Sequence, residues 1–208
     1  MADPRELRTM IEAEQAEFTE LARRLTTEQW QTPSLCRGWS VHDVVTHIAL
    51  HIHTTAPQRI RELARLRFSE TRQLARHRPA TTDSLVAWLG SEALLSGPTN
   101  MLTQLSELVV HQQDVRRPLG ASRTIPAATL LAVLGFSLTR IGSLSVTPTL
   151  RRAKGLRLVA TDLDWIRGSG PDVRGPAEAI VMAVHGRSPA VADLDGAGTA
   201  TLERRIQP

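Results

Sequence analysis

Glu107 and His111 stand four residues apart in a stretch whose pattern predicts a helix over about 101–116, so both side chains share one face, a turn apart. A carboxylate and an imidazole at that spacing can grip one divalent cation, as ligands do in the cores of helical bundles. Asp114 falls on the same face, three residues further on. It can accept a hydrogen bond from a ligand imidazole, or act structurally as a cap or a partner of Arg117, and the structural role is the one expected. A third ligand must come from another helix. His47 and His51, also four apart, are the candidates. A blander arrangement competes with this one. Leu102, Leu105, Val109 and Gln112 mark one side of the helix and Glu107, His111 and Asp114 the other, a side that periodicity alone assigns to solvent.

These residues need elements to position them. Asp3, Pro4 and Glu6 form a helix start, and Leu7, Met10, Ile11, Phe18, Leu21, Ala22 and Leu25 make one apolar stripe, so a helix is predicted over 4–25. The segment TPSLCRGW reads as a loop. Ser40 opens the next helix with Asp43 as its capping-box partner, and Val41, Val44, Val45, Ile48 and Ile52 form its buried face. His47 sits at the margin of that stripe and His51 nearer the core. Further helices are predicted over 57–77, 82–96 and 126–143, with Ser96-Gly97-Pro98 as a break. After about residue 150 the character changes. LRLVATDLDW reads as strand, GSGP and RGP as turns, Pro176 to His185 as a short helix, and GTATLERRI as a final strand. The expectation is a helical domain over 1–148 followed by a small α+β domain over 149–208.

Composition narrows the classes. The chain has 208 residues, 41% hydrophobic and 22% charged, ordinary values for a globular protein. No apolar run approaches the ~20 residues of a membrane span, and the acidic, amphipathic N-terminus has no signal-peptide core. Cys36 is the single cysteine, which excludes an internal disulfide framework and fits a cytoplasmic location. The net charge of +4 does not mark a nucleic-acid binder, because the arginines are scattered among acids and aromatics are only 3%. No basic helix-turn-helix stands out, so a DNA-binding role is weakly supported.

Three segments carry a family resemblance. WQTPSLCRGWSVHDVVTHIALH, with Trp30, the Cys36-Arg37-Gly38-Trp39 loop and His47, resembles the N-terminal signature of the mycothiol-dependent maleylpyruvate isomerase family. That family lies within the DinB-like metal-binding four-helix bundles. SELVVHQQDVRRPLG resembles the family's metal helix. GLRLVATDLDW, GPAEAIVMAVHGR and LDGAG resemble its small C-terminal domain. The resemblance implies a mainly α fold, a DinB-like up-and-down bundle followed by a small α+β domain, with His47, Glu107 and His111 as the metal ligands. Two imidazoles and a carboxylate suit zinc and leave a fourth position open, although iron(II) and nickel are compatible with the same set. His51 is then a core or supporting residue, and Cys36, Trp39 and Trp165 are expected as packed residues. The resemblance also places a substrate-binding arginine at Arg187. That side chain can hold a carboxylate with two parallel hydrogen bonds, or simply be a solvated residue that offsets a helix dipole.

The function implied is a divalent-metal enzyme that uses a low-molecular-weight thiol, mycothiol, to isomerise or conjugate a small electrophile. In the isomerase, thiol addition to an activated double bond, rotation and release convert cis to trans. In a transferase the thiol stays on the product. A metal-dependent hydrolase that activates water, and a non-enzymatic small-molecule or metal-binding module, are the alternatives. The expected partners are the thiol and the electrophile, without nucleic acid or membrane, in a monomer or homodimer.

Overall fold

The structure, a computed structural model, describes residues 3–54, 56–67, 69–77, 80–92, 97–145 and 148–207. It is mainly helical and divides into two compact units, Met1–Ser122 and Arg123–Pro208.

The first unit is built on four helices: α1 (Pro4–Arg23), α3 (Val41–His53), α6 (Thr82–Leu89) and α7 (Gly97–Arg116). α1 packs on α6 and α7, and α3 packs on the same two, which closes a four-helix ring. Local chemistry sets where these helices begin. Asp3 accepts from the Arg5 amide ahead of Pro4. Ser40 and Asp43 satisfy each other's backbone N–H groups in the capping box the sequence predicts. The core comprises Leu7, Ile11 and Phe18 of α1, Val44, Val45 and Ile48 of α3, Leu85 and Leu89 of α6, and Leu105, Leu108 and Val109 of α7. Removing each such side chain from water contributes about 1.5–3 kcal/mol. Gln15 ties α1 to the C-terminal end of α6 by donating to the Leu89 carbonyl at 2.8 Å.

α2 (Thr27–Gln31) is a short helix ahead of the TPSLCRGW loop, with its own capping box between Thr26 and Gln29. The polar stretch expected as one helix over 57–77 is two, α4 (Ala56–Arg65) and α5 (Glu70–His77). Arg67 turns the chain between them at φ 56°, and Glu62 accepts from Gln73 and His77 across the pair. α6 ends at Leu89 with Gly90 as its C-cap, residues 93–96 at the end of the helix expected over 82–96 lie outside the described residues, and α7 begins at Gly97, where a break was expected.

The second unit begins earlier than the 148/149 boundary expected from sequence. The apolar helix assigned to the bundle is α8 (Ala127–Ser137), and it packs on α11 (Ala177–Val184). Ser137 and His185 form a buried 2.8 Å hydrogen bond, and Thr149 donates to the Ser137 carbonyl. α8 ends at Ser137 and does not run to 143. Thr139 restarts the chain as α9 (Arg140–Ser145) by accepting from the Gly142 amide. α10 (Thr149–Ala153) leads into a three-stranded sheet of order β2-β1-β3. β1 (Arg157–Ala160) pairs antiparallel with β2 (Ile166–Gly168) and parallel with β3 (Asp172–Gly175), with Leu158 opposite Arg167 and Val173. Arg174 and Gly175, expected in a turn, are strand residues. α11, opened by Pro176, is buried from Ala179 to Val184. The C-terminal GTATLERRI segment, expected as strand, is helix α12 (Thr199–Ile206). Leu202 packs inward while Glu203 and Arg204 face solvent, a helical pattern that the short alternation of the sequence disguised.

Candidate metal centre

The bundle interior holds a polar cluster contributed by α3, α7 and the loop between α2 and α3. His47 lies in the middle of α3, and Glu107 and His111 lie one turn apart on α7. All three are more than nine-tenths buried. The Glu107 Oε2 atom is 3.2 Å from His47 Nε2 and 3.2 Å from His111 Nε2. The three donor atoms lie within 4.8 Å of one another. The face of α7 that periodicity assigns to solvent is therefore interior. Every residue from Gln104 to Arg116 is buried, because α1 and α3 pack against different sides of this helix. Periodicity reads one apolar stripe against water and has no signature for a helix enclosed on several faces.

The far side of the His111 ring is also occupied. Nδ1 stands 2.9 Å from Asp114 Oδ2 and 3.5 Å from Cys36 Sγ, and the Cys36 thiol donates to Asp114 Oδ2 at 3.0 Å. Asp114 is fully buried against His111, in the position of an acceptor for the ligand imidazole that the sequence offered beside a cap or an Arg117 pairing. Cys36 is not merely a packed residue. It reaches the cluster because its loop is tightly wound. Ser34 donates to the Trp39 carbonyl from both its amide and its hydroxyl, Trp39 N–H returns to the Cys36 carbonyl, and Gly38 takes φ +79°. The Leu35 amide then pins the loop to α7 by donating to the Asp114 carbonyl at 3.1 Å. Gly38 is the residue type this left-handed turn favours.

Trp39, expected as core, walls the cluster. Its ring lies stacked on His111 at a centroid distance of 6.2 Å and 17°, and tilted on His47 at 5.2 Å. His51 approaches His47 ring to ring at 4.4 Å, but it is not in either group of converging donor atoms among the described residues. Arg187 lies in the second unit, just after α11, where it donates to the His185 carbonyl at 2.9 Å.

The electrostatics follow from this crowding. Burial by itself would raise the Glu107 carboxyl. Hydrogen bonds from His111 and His47, with the nearby charges of His111 and His51, instead hold it well below the ordinary value of 4.5. Burial likewise opposes a charged His111, yet its hydrogen bonds to Asp114, Cys36 and Glu107 raise it well above 6.5. The donor set also suits a metal ion. Ligands about 2.0–2.1 Å from a tetrahedral zinc ion stand about 3.3 Å from one another, and both separations to Glu107 are already 3.2 Å. The Asp114 carboxylate on the opposite ring nitrogen is the arrangement that fixes the tautomer of a metal-binding histidine.

Fold and cluster together define a class, a DinB-like helical bundle with a buried bis-imidazole and carboxylate centre, followed by a small α+β unit. Residues 11–95 match the family model described as the mycothiol maleylpyruvate isomerase N-terminal domain. Two solved structures share the fold over 95% of this chain and 94% of theirs. One is a crystal structure of the mycothiol-dependent maleylpyruvate isomerase, with 16% identity and a TM-score of 0.57. The other is a point mutant of that isomerase, with 14% identity and a TM-score of 0.63. No curated protein matches the chain. The likeness to the mycothiol-dependent maleylpyruvate isomerases thus lies in sequence over residues 11–95 and in fold over nearly the whole chain. Among the described residues no helix is long and apolar enough to cross a membrane.

Proposed function

We propose that this protein is a divalent-metal enzyme that uses mycothiol to isomerise or conjugate a small electrophilic substrate, with His47, Glu107 and His111 as its metal ligands and zinc as the ion they suit best. The observation that carries the proposal is the convergence of three buried donor atoms, one carboxylate oxygen between two imidazole nitrogens, at separations that suit a single ion. When bound, such an ion supplies Lewis acidity that favours the thiolate form of a coordinated thiol.

The chain's own residues do the rest. Glu107 brings the negative charge. His47 and His111 bring neutral nitrogen donors and leave a coordination position open for an incoming group. Asp114 holds the His111 ring through Nδ1, so that Nε2 faces Glu107. Trp39 covers two imidazoles and limits the water that reaches them. Arg187 is the residue proposed to bind a carboxylate on the substrate, by the bidentate pairing that guanidinium favours.

The first test is metal content of protein purified without an affinity tag, alongside His47→Ala and His111→Ala. Near-stoichiometric metal in the parent, with loss from both variants of the visible cobalt(II) spectrum of the His47–Glu107–His111 centre, supports the centre. A mycothiol-dependent turnover of unsaturated electrophiles by the metal-loaded parent then supports the activity. No uptake of zinc, iron(II) or nickel on reconstitution refutes the proposal. Turnover that is indifferent to thiol moves it to hydrolysis.

A further inference from the structure

The His111 ring presents each of its nitrogens to a different group of potential ligands. Nε2 faces Glu107 and, across it, His47. Nδ1 faces Asp114 Oδ2 at 2.9 Å and Cys36 Sγ at 3.5 Å, and those two atoms are 3.0 Å apart. Turning the ring over would put carbon at both places, so this orientation is the one that serves both sides. We propose that Cys36, Asp114 and His111 Nδ1 form a second, alternative seat for a thiophilic divalent cation, and that occupation of this seat excludes occupation of the His47–Glu107–His111 seat.

The donor set supports the first half. Sulfur, nitrogen and oxygen atoms all lie within 4.8 Å of one another, on a fully buried aspartate, a buried histidine and a half-buried cysteine. Around a zinc-sized ion with a sulfur ligand at about 2.3 Å and a nitrogen ligand at about 2.0 Å, tetrahedral geometry puts sulfur and nitrogen about 3.5 Å apart. That is the separation found between Cys36 and His111. A thiolate and a carboxylate together neutralise one divalent cation, and the thiolate selects soft ions over hard ones. On binding, the sulfur–metal bond replaces the S–H bond and the nitrogen–metal bond replaces the Nδ1–H bond; the thiol proton and the Nδ1 proton pass to solvent, and the ring keeps its hydrogen on Nε2.

The second half follows from valence. A neutral imidazole has one lone pair and one N–H. A cation on Nδ1 leaves the hydrogen on Nε2, where it can only donate to Glu107. The first seat then keeps His47 and Glu107 and loses its third donor. Cys36 is the chain's single cysteine, so a sulfur-to-metal signal reports this seat alone. The exclusion, though not the seat itself, rests on the metal-ligand set proposed above.

Full-length protein, stripped with chelator and loaded with cobalt(II), separates the two ideas when titrated with cadmium(II). The visible cobalt spectrum reports the first seat and the ultraviolet thiolate-to-cadmium charge-transfer band the second. The parent is expected to gain the charge-transfer band up to one equivalent and to lose the cobalt spectrum in step. In Cys36→Ser the band is absent, and the cadmium needed to expel cobalt rises roughly tenfold or more, at least the effect of removing a supporting partner of a metal ligand. In His47→Ala the band persists although the cobalt spectrum is lost. The proposal is overturned if the parent shows no charge-transfer band, if the band grows while the cobalt spectrum is kept, or if Cys36→Ser releases cobalt at the parent's cadmium concentration. A parent that shows the band but never takes up cobalt supports the seat and removes the cobalt site, which distinguishes failure of the proposed function from failure of this inference.

Discussion

Replacing Asp114 by asparagine isolates the support of the metal centre from the ligands themselves. The side chain is fully buried and stands 2.9 Å from His111 Nδ1, so the substitution preserves volume and leaves an amide oxygen able to accept the same N–H. What is lost is the charge. A charge-assisted hydrogen bond is roughly twice as strong as a neutral one, and an outer carboxylate on a metal-bound histidine typically accounts for about 10–100-fold in metal affinity. At about 1.36 kcal/mol per decade, the Asp114→Asn variant should bind zinc about 1.4–2.7 kcal/mol more weakly. The assay is competition against a chromophoric chelator at one fixed pH, with the parent and His47→Ala measured in parallel. The variant should fall between them, because it keeps all three ligands. An affinity within about twofold of the parent, far below the expected loss, would mean that Asp114 does not orient His111. An affinity as low as that of His47→Ala would mean that the aspartate is itself a ligand.

Four further outcomes are expected. In metal-free protein the raised His111 contributes stability that is complete below its unfolded value of 6.5 and lost as pH rises through its higher folded value, and the lowered Glu107 contributes stability present above 4.5 and lost as pH falls through its lower folded value. Thermal melts of chelator-treated protein should therefore weaken on the alkaline side of 6.5, and His111→Gln should flatten that limb. Trp39→Phe should remove most of the metal-dependent change in tryptophan fluorescence, since its ring lies against both His47 and His111; a response carried undiminished by the other tryptophans would contradict this. Ser40→Ala removes the hydroxyl that caps α3 and should cost about 1 kcal/mol in denaturant melts, within the usual span for such caps. In the second unit, Gly142→Ala would drive a Cβ into the Phe136 carbonyl and should destabilise by about 1–3 kcal/mol, the range for overpacking, whereas the open position Gly135→Ala should not destabilise.

The local features of this chain were legible in its sequence because they depend on neighbours. The Asp3 and Ser40 caps, the α3 apolar face, the strand at Arg157–Ala160 and the proline-opened α11 all appear where capping chemistry and side-chain periodicity put them. The one-turn spacing that lets Glu107 and His111 share a face is likewise a property of the helix alone. Other features needed the packed structure. Short amphipathic pieces such as Thr199–Ile206 contain too few residues for period two and period 3.6 to be told apart, so packing decided for helix. α8 is apolar enough to serve either unit, and only its contacts with α11 assign it to the second. At the candidate centre the sequence supplied three donors, with the choice of His47 over His51 resting on family resemblance. That Cys36 and Trp39 join them depends on the Gly38 turn and on the Leu35 amide reaching the Asp114 carbonyl, a link across 79 residues that no local pattern encodes. The reversal of the α7 face from solvent to interior has the same cause. A helix surrounded by others can bury charged side chains only when they satisfy one another, and that partnership exists only in three dimensions.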